Sequence, residues 1–294
     1  MLKEDNLDAS SIINALDKAK HLTQVDLPHS QLKFGVSTQP IVPTLMKYSA
    51  MDVAIQMTYM DITMLKFSCV LEHPILLYSE LSSLLWEKKD RSHLIPNITA
   101  IISRSNMISS WVISEIVAQE GKTLRKKTFK WFITLAEKLY ELKNFHSLLA
   151  IMTGFSSYYL DRLSDIWKTL SKHWLDQKQE LETITSMDNN YGVLREKQKK
   201  LFNSQSFAIP CLSIVMKDIF VLLQSNDKYF PEVKKYNWAK LRILQHTLWQ
   251  LWSFQNSKLP STSFSLNPDI FALLKNLFVL EDETLNDRTA KTHL

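Results

Sequence analysis

The sequence predicts an all-α protein, and three observations carry that prediction. Apolar residues recur at helical spacing along nearly the whole chain, only 4 glycines occur in 294 residues, and those glycines fall where helices should stop. Dinucleotide-binding α/β sheets and tight hairpins lean on glycine's access to positive φ, so so few glycines argue against both.

Taken in chain order, residues 1–44 read as an extension. A short amphipathic helix is expected around Ile12 to Ala19, followed by a looser stretch containing Pro28, Gly35, Pro40 and Pro43. A boundary near Thr44 opens a domain expected to run from residue 45 to 280. Within it, Ile108, Trp111, Val112 and Ile116 form one helical stripe, and Gly121 follows the helix that ends near Gln119. Phe132, Leu135, Ala136, Leu139 and Leu142 form the next stripe, and Gly154 is read as the stop after Leu149-Ala150-Ile151. Gly192 is placed in a turn with Asn189, Asn190 and Tyr191. Ile209 to Leu223 is the most apolar run, interrupted by Lys217 and Asp218, and thus no membrane span. Leu241, Leu244, Leu248 and Leu251, enlarged by Trp238, Trp249 and Trp252, predict a helix wedged between others. Asn267, Pro268 and Asp269 read as a capped start for a last apolar helix, Ile270 to Val279. Residues 281–294 are expected as an acidic, solvated tail. The count is about twelve helices, with no convincing strand pair and no 30–45-residue repeat.

Composition narrows the function class. The chain is 45% hydrophobic and 22% charged with a formal charge of +5, spread in short clusters such as Arg125-Lys126-Lys127, Arg195 to Lys200 and Lys234-Lys235. These read as solvated helix faces, with contact to an acidic membrane or partner as the alternative. Two cysteines, Cys69 and Cys211, with no CxxC pair and no secretory leader, point to a reducing, cytoplasmic setting. The chain has no P-loop, HExxH, GxSxG or metal-spaced Cys/His set, so neither a cofactor nor a metal is expected and nothing suggests covalent catalysis or nucleic-acid binding. His146 reads as a structural or surface imidazole, and Glu281/Glu283 as a solvated acidic pair. A helical protein of this kind acts by binding other proteins.

Six blocks in series make that partner specific. They are Asp52-Val-Ala-Ile-Gln-Met-Thr-Tyr-Met-Asp61; Leu85-Trp-Glu-Lys-Lys-Asp90 with Pro96-Asn97; and Ile101-Ile-Ser-Arg104-Ser-Asn106-Met-Ile-Ser109-Ser-Trp111-Val-Ile-Ser-Glu115. Then come Leu139-Tyr-Glu-Leu142-Lys-Asn144-Phe145-His-Ser-Leu148-Leu-Ala150-Ile-Met-Thr-Gly154-Phe-Ser156-Ser157 with Arg162-Leu163 and Trp167; Ile209-Pro210-Cys-Leu-Ser-Ile-Val-Met-Lys-Asp218; and Tyr236-Asn237-Trp238-Ala-Lys240-Leu-Arg242. In order and spacing they resemble the catalytic domain of Ras-family guanine-nucleotide exchange factors.

The resemblance implies a helical bowl that binds a Ras-superfamily small GTPase, preferring its nucleotide-free state, as a monomer. It also implies a helical hairpin directed at the nucleotide site: a helix from about Pro210 to Gln224, a turn through Ser225 to Glu232, and a helix from about Tyr236 to Phe254. Phe220 and Gln224, four apart on one face, stand where the family sets an apolar residue near Mg²⁺ and a Glu near the phosphates. Gln224 is a departure, since an amide has no charge with which to repel phosphate. GTPase contacts map onto Ser103, Asn106, Leu149, Phe155 and Cys211; the family commonly has Asn at the fourth of these positions and Phe at the fifth. Arg104, Trp111, Asn144, Pro210, Asn237, Lys240 and Arg242 match as motif positions, with Asn144 also placed to cap the helix that starts at Phe145. Leu149 reads equally as a core leucine.

Two readings stand at this stage: an active exchange factor, or a degenerate member that binds a GTPase or another protein without releasing nucleotide. An unrelated helical scaffold is the third. With no adaptor or lipid-binding module in view, peripheral recruitment to a membrane is expected. The acidic end, Leu280-Glu-Asp-Glu-Thr-Leu-Asn-Asp287, resembles the secretion signals of bacterial effectors, which would place the protein in a host-cell cytosol.

Overall fold

A computed structural model describes residues 34–67, 96–225, 229–230, 235–257 and 266–290. The expected helix at Ile12 to Ala19, the Leu85–Asp90 block, Cys69 and the last four residues lie outside these. In order, the elements are β1 (Gly35–Ser37), α1 (Val42–Leu45), α2 (Ala50–Phe67), α3 (Pro96–Ala118), α4 (Lys122–Glu141), α5 (Phe145–Phe155), α6 (Tyr158–Asp161), α7 (Ser164–Thr169), α8 (Lys172–Thr185), α9 (Asp188–Asn203) and α10 (Leu212–Ser225). They continue with β2 (Tyr229–Phe230), β3 (Lys235–Tyr236), α11 (Trp238–Gln255), α12 (Pro268–Lys275), β4 (Asn276–Phe278) and α13 (Asp282–Ala290). The fold is all-α, as expected.

Contacts divide the chain into two compact units. One holds the described parts of Met64–Ile101 and Ser213–Trp252; the other holds those of Leu32–Thr63, Ile102–Leu212 and Ser253–Leu294.

In the second unit α4 is the central helix, packing on α5, α7 and α8. Its stripe is buried as expected, with Phe129, Phe132, Ile133, Leu135, Ala136 and Leu139 all inside. Ile108, Trp111, Val112 and Ile116 of α3 are fully buried as well. Trp111 sets its ring edge-on to Trp131 and Phe132, with centroids 6.1 and 4.8 Å away, an arrangement that adds to the burial energy of aromatic side chains.

The structure reassigns two glycines. Gly154 is not a stop: it lies inside α5, where a β-carbon would come within 2.8 Å of both the Ser109 carbonyl oxygen and Val112 Cβ. Glycine there permits the close approach of α5 to α3. Gly192 is not the turn residue either, because the left-handed conformation belongs to Asn189, Asn190 and Tyr191, with φ of 50°, 56° and 62°. Gly121 behaves as expected, taking a φ of 85° just before α4.

Short strands appear where none were expected. β1 pairs in parallel with β4, Gly35 opposite Asn276 and Ser37 opposite Phe278. This pairing stops the last apolar helix at Lys275, short of Val279. Its start is as read: Pro268 occupies the first turn, and the Asn267 side chain accepts from the amides of Asp269 and Ile270. The acidic segment expected as a solvated tail is helical in α13, with Asp282 and Glu283 at the N-terminal end, Arg288 at the C-terminal end, and Leu285 and Thr289 buried. Those charges match the helix dipole at both ends, which offsets the polar composition.

In the first unit β2 and β3 form an antiparallel ladder, Tyr229 opposite Tyr236 and Phe230 opposite Lys235. The ladder ties the end of the segment after α10 to the start of α11. The expectation that α11 is wedged between other helices is not met: Trp238 is 52% exposed, Ile243 55% and Trp249 54%. Trp249 instead stacks on Trp252, centroids 4.7 Å apart and planes 24° from parallel.

Candidate functional site

The residues singled out in the sequence separate into a buried frame and an exposed set. The frame begins at the turn between α4 and α5. Lys143 takes a left-handed φ of 59°, which lets the chain reverse in a few residues. Asn144 then caps α5, its side-chain oxygen accepting from Ser147 N at 3.0 Å. Its amide nitrogen donates to Asp61 Oδ2 at 2.7 Å and Thr58 Oγ1 at 3.2 Å, and Ser147 Oγ donates to the same Asp61 oxygen at 2.5 Å. Backbone bonds from Phe145 N to the Ile209 carbonyl and from Ile209 N to the Lys143 carbonyl dock the Ile209-Pro210 strand against this turn. Asn144 is therefore a structural hub, consistent with its placement as a cap, and Pro210 is buried beside it.

Arg104 is structural too. It is 1% exposed, donates from Nη1 to the Leu274 carbonyl at 2.9 Å, and lies 4.5 Å from the centre of the Phe34 ring. Burial lowers its pKa to about 10, with the Asp61 charge opposing that shift. His146, next to Asn144, is held below its ordinary pKa by burial, so it is a neutral core imidazole.

Phe155 and Cys211 were expected to meet a GTPase, and neither offers surface to one: each is 1% exposed. Phe155 packs on Phe129 at 4.8 Å, which in turn meets Trp167 at 4.8 Å. Their departures from the usual family residues thus alter the core beneath the surface rather than the surface.

Ser103 and Asn106 are exposed on one face of α3, and Leu149 is half-buried on α5, followed one and two turns on by exposed Thr153 and Ser156. The two faces adjoin, because Ser109, one turn beyond Asn106, donates to the Ala150 carbonyl at 2.7 Å. These residues form an open polar shelf with one apolar side chain.

On α10, Met216, Ile219 and Leu222 are buried, while Ser213, Lys217, Val221 and Gln224 make an exposed stripe and Phe220 sits at its edge, half-buried. The last turn of this helix is anchored. Lys240 is 6% exposed and donates from Nζ to the Leu223 carbonyl at 3.1 Å, placing a cation at the negative end of α10. Lys240 is itself positioned by Asn237, whose side chain accepts from Lys240 N at 3.0 Å and caps α11. Asn237 and Lys240 thus fix the turn that carries Gln224; Arg242, two residues beyond Lys240, is exposed.

Sequence reasoning gave no role to Glu115. Its Oε1 accepts from Ile41 N at 2.6 Å, Val42 N at 3.1 Å and Trp111 Nε1 at 3.0 Å, fastening the chain before α1 to α3. Its Oε2 is buried without a hydrogen-bond partner. Burial pushes the carboxyl pKa up to about 7, against those three donors. The available signal was a carboxylate seven residues after Ile108, in the middle of an apolar stripe. Asp61 carried the same signal seven residues after Ala54. Among the described residues no His/Cys/Asp/Glu group could hold a metal ion, and no helix is long and apolar enough to cross a membrane.

The RasGEF domain family model matches residues 52–242, which includes the α3/α5 shelf, α10 and the first turn of α11. The chain is 31% identical over 215 residues to the Ras-specific guanine nucleotide-releasing factor RalGPS2 of Homo sapiens, covering 73% of this chain and 35% of that one. It is 29% identical over 219 residues to RalGPS1 of Danio rerio, covering 74% and 36%, and 25% identical over 290 residues to Ras guanine nucleotide exchange factor M of Dictyostelium discoideum, covering 93% and 30%. The chain spans about a third of the length of each of these relatives.

Proposed function

The chain belongs to the RasGEF domain family, and on that premise we propose that it is a guanine-nucleotide exchange factor for a Ras-superfamily small GTPase. The observation that carries the reading is the anchored end of α10, where Lys240 and Asn237 hold the turn bearing Gln224 beside half-buried Phe220. A hairpin that must hold open a nucleotide site needs a rigid tip, because any ordering left to the moment of binding subtracts from the work it can do.

No covalent step is involved. The protein binds the nucleotide-free GTPase more tightly than the loaded one, and linkage lowers nucleotide affinity by the same factor. For a nucleotide held at picomolar affinity about 16 kcal/mol is at stake, so the interface must be large. Ser103, Asn106 and Leu149 supply part of it from the shelf. Phe220 acts by occupying the volume of the Mg²⁺ site. Gln224 adds bulk and a hydrogen-bonding amide but no charge, so opening is steric more than electrostatic.

A second reading, binding without release, rests on that missing charge. The secretion-signal reading of the acidic end gains no support, since that segment forms α13 and the relatives compared are from vertebrates and Dictyostelium.

The test is release of a fluorescent GDP analogue from Ras-, Rap-, Ral- and Rho-type GTPases, with Phe220→Ala and Leu149→Glu alongside. Acceleration on one GTPase, lost in both variants while circular dichroism is unchanged, is the expected outcome. Binding to a nucleotide-free GTPase without acceleration would establish the second reading, and silence in both assays would sink the two together.

A further inference from the structure

The tryptophans of α11 have no role in the exchange reading. Trp238, Arg242, Gln245, Trp249 and Trp252 follow one another at steps of four, three, four and three, which sets them in one ridge along the helix. Lys240 and Leu251, on the opposite side, are buried. Trp238 and Trp249 each leave about half of their surface in water, and Arg242 and Gln245 between them are exposed. Trp252 is half-buried, its ring stacked on that of Trp249.

The charge along this ridge has one sign. α11 contains no Asp or Glu, and among the described residues of its unit the single acid is Asp218, half-buried on α10. The Lys240 ammonium is spent on the Leu223 carbonyl. Lys235 precedes the helix, but Glu232 stands three residues before it in the chain, so Arg242 is the cation of the ridge.

A dry contact does not account for this arrangement. A helix that packs on another helix, of this chain or of a second copy, buries an uninterrupted apolar stripe, whereas here an arginine and a glutamine stand between the indoles. Nucleic acid fits less well too. One cation neutralises little of a phosphate backbone, and a face of the Trp249 ring is already taken by Trp252.

We propose that this ridge seats α11 in the interfacial layer of a lipid bilayer containing anionic lipid. Indoles favour that layer because the ring is apolar and its N–H reaches the wet headgroups. The same wetness admits Arg242 and Gln245 between the rings, the guanidinium lying among the phosphates. The docking does not depend on exchange activity.

The experiment uses the full chain without any GTPase, so an inactive exchange factor leaves it interpretable. Flotation is measured with phosphatidylcholine vesicles and with vesicles containing about one-third phosphatidylserine. Binding is expected to both, about five-fold tighter to the second, and a rise in salt from about 0.1 M to about 0.5 M should remove the difference but not the binding. Arg242→Gln should abolish the preference alone. Each half-exposed ring contributes at least about ten-fold, so Trp238→Ser/Trp249→Ser should lower partitioning into both kinds of vesicle by about 100-fold. Circular dichroism of that variant should match wild type. In the unaltered protein, phosphatidylcholine with brominated chains should quench tryptophan emission, which tests the seating without any substitution. The control Met187→Ser/Val193→Ser removes exposed apolar surface from α9 and should bind as wild type. Absence of flotation with either vesicle, absence of quenching, equal loss in the control, or dimerisation or retention by single-stranded DNA without vesicle binding would overturn the proposal.

Discussion

Glu115 makes the stability of this protein depend on pH in a direction that can be worked out. Its carboxyl titrates near 7 in the folded protein against an ordinary value of 4.5. The folded state therefore holds this proton more tightly than the unfolded chain does. The contribution is fully present below about pH 4.5 and is lost as pH rises through about 7. Across that window it amounts to about 3 kcal/mol, at 1.36 kcal/mol for each pKa unit. His146 acts the other way: its pKa is lowered by burial, so its contribution is present above 6.5 and is lost as pH falls. The two are separated by Glu115→Gln, which keeps an acceptor for the Ile41, Val42 and Trp111 donors, cannot ionise, and leaves His146 untouched. Urea unfolding at intervals from pH 5 to pH 8 should show the variant gaining on wild type as pH rises, by up to about 3 kcal/mol across the window. The buried amide nitrogen, placed where Oε2 has no partner, should make the variant the less stable of the two at pH 5. A difference between the two proteins that stays constant with pH would refute the reasoning and mean that Glu115 is ionised throughout.

Asn144→Ala removes a helix cap and leaves the buried Asp61 carboxylate short of a donor, so it should cost about 3 kcal/mol in urea unfolding. A loss below about 1 kcal/mol would mean that the hub is slack. Phe155→Ala empties a space lined by Phe129 and should cost about 3–5 kcal/mol, again by denaturant unfolding, whereas a surface contact residue would change stability little. Gln224→Glu restores a negative charge at the end of α10 and should speed release of a fluorescent GDP analogue; an unchanged rate would mean that steric opening by Phe220 is sufficient.

The elements legible in the sequence are those stabilised by neighbours within a turn or two. The stripe through Phe132, Leu135, Ala136 and Leu139 is buried as its spacing predicts, and Asn267 caps the helix its neighbours announce. The hairpin helices were expected within two residues of their observed bounds, Leu212–Ser225 and Trp238–Gln255. Ladders of two or three residues escaped notice because so short a strand has no period to detect. The same limit applies to Gly154, which looks like a helix stop until α3 is seen pressed against it.

By itself the sequence determined the helical class, the order of the motifs and the family they belong to, because caps, stripes and motif spacing are properties of contiguous chain. Tertiary structure alone decided which motif positions are frame and which are surface. Arg104 is enclosed by Leu274, 170 residues away, Asn144 bonds to Asp61 across 83 residues, and Glu115 bonds to Ile41 across 74. Periodicity says which side chains share a face of a helix, but what covers that face is supplied by distant chain. For that reason Phe155 and Cys211 lie inside while the large apolar rings of Trp238 and Trp249 stand exposed.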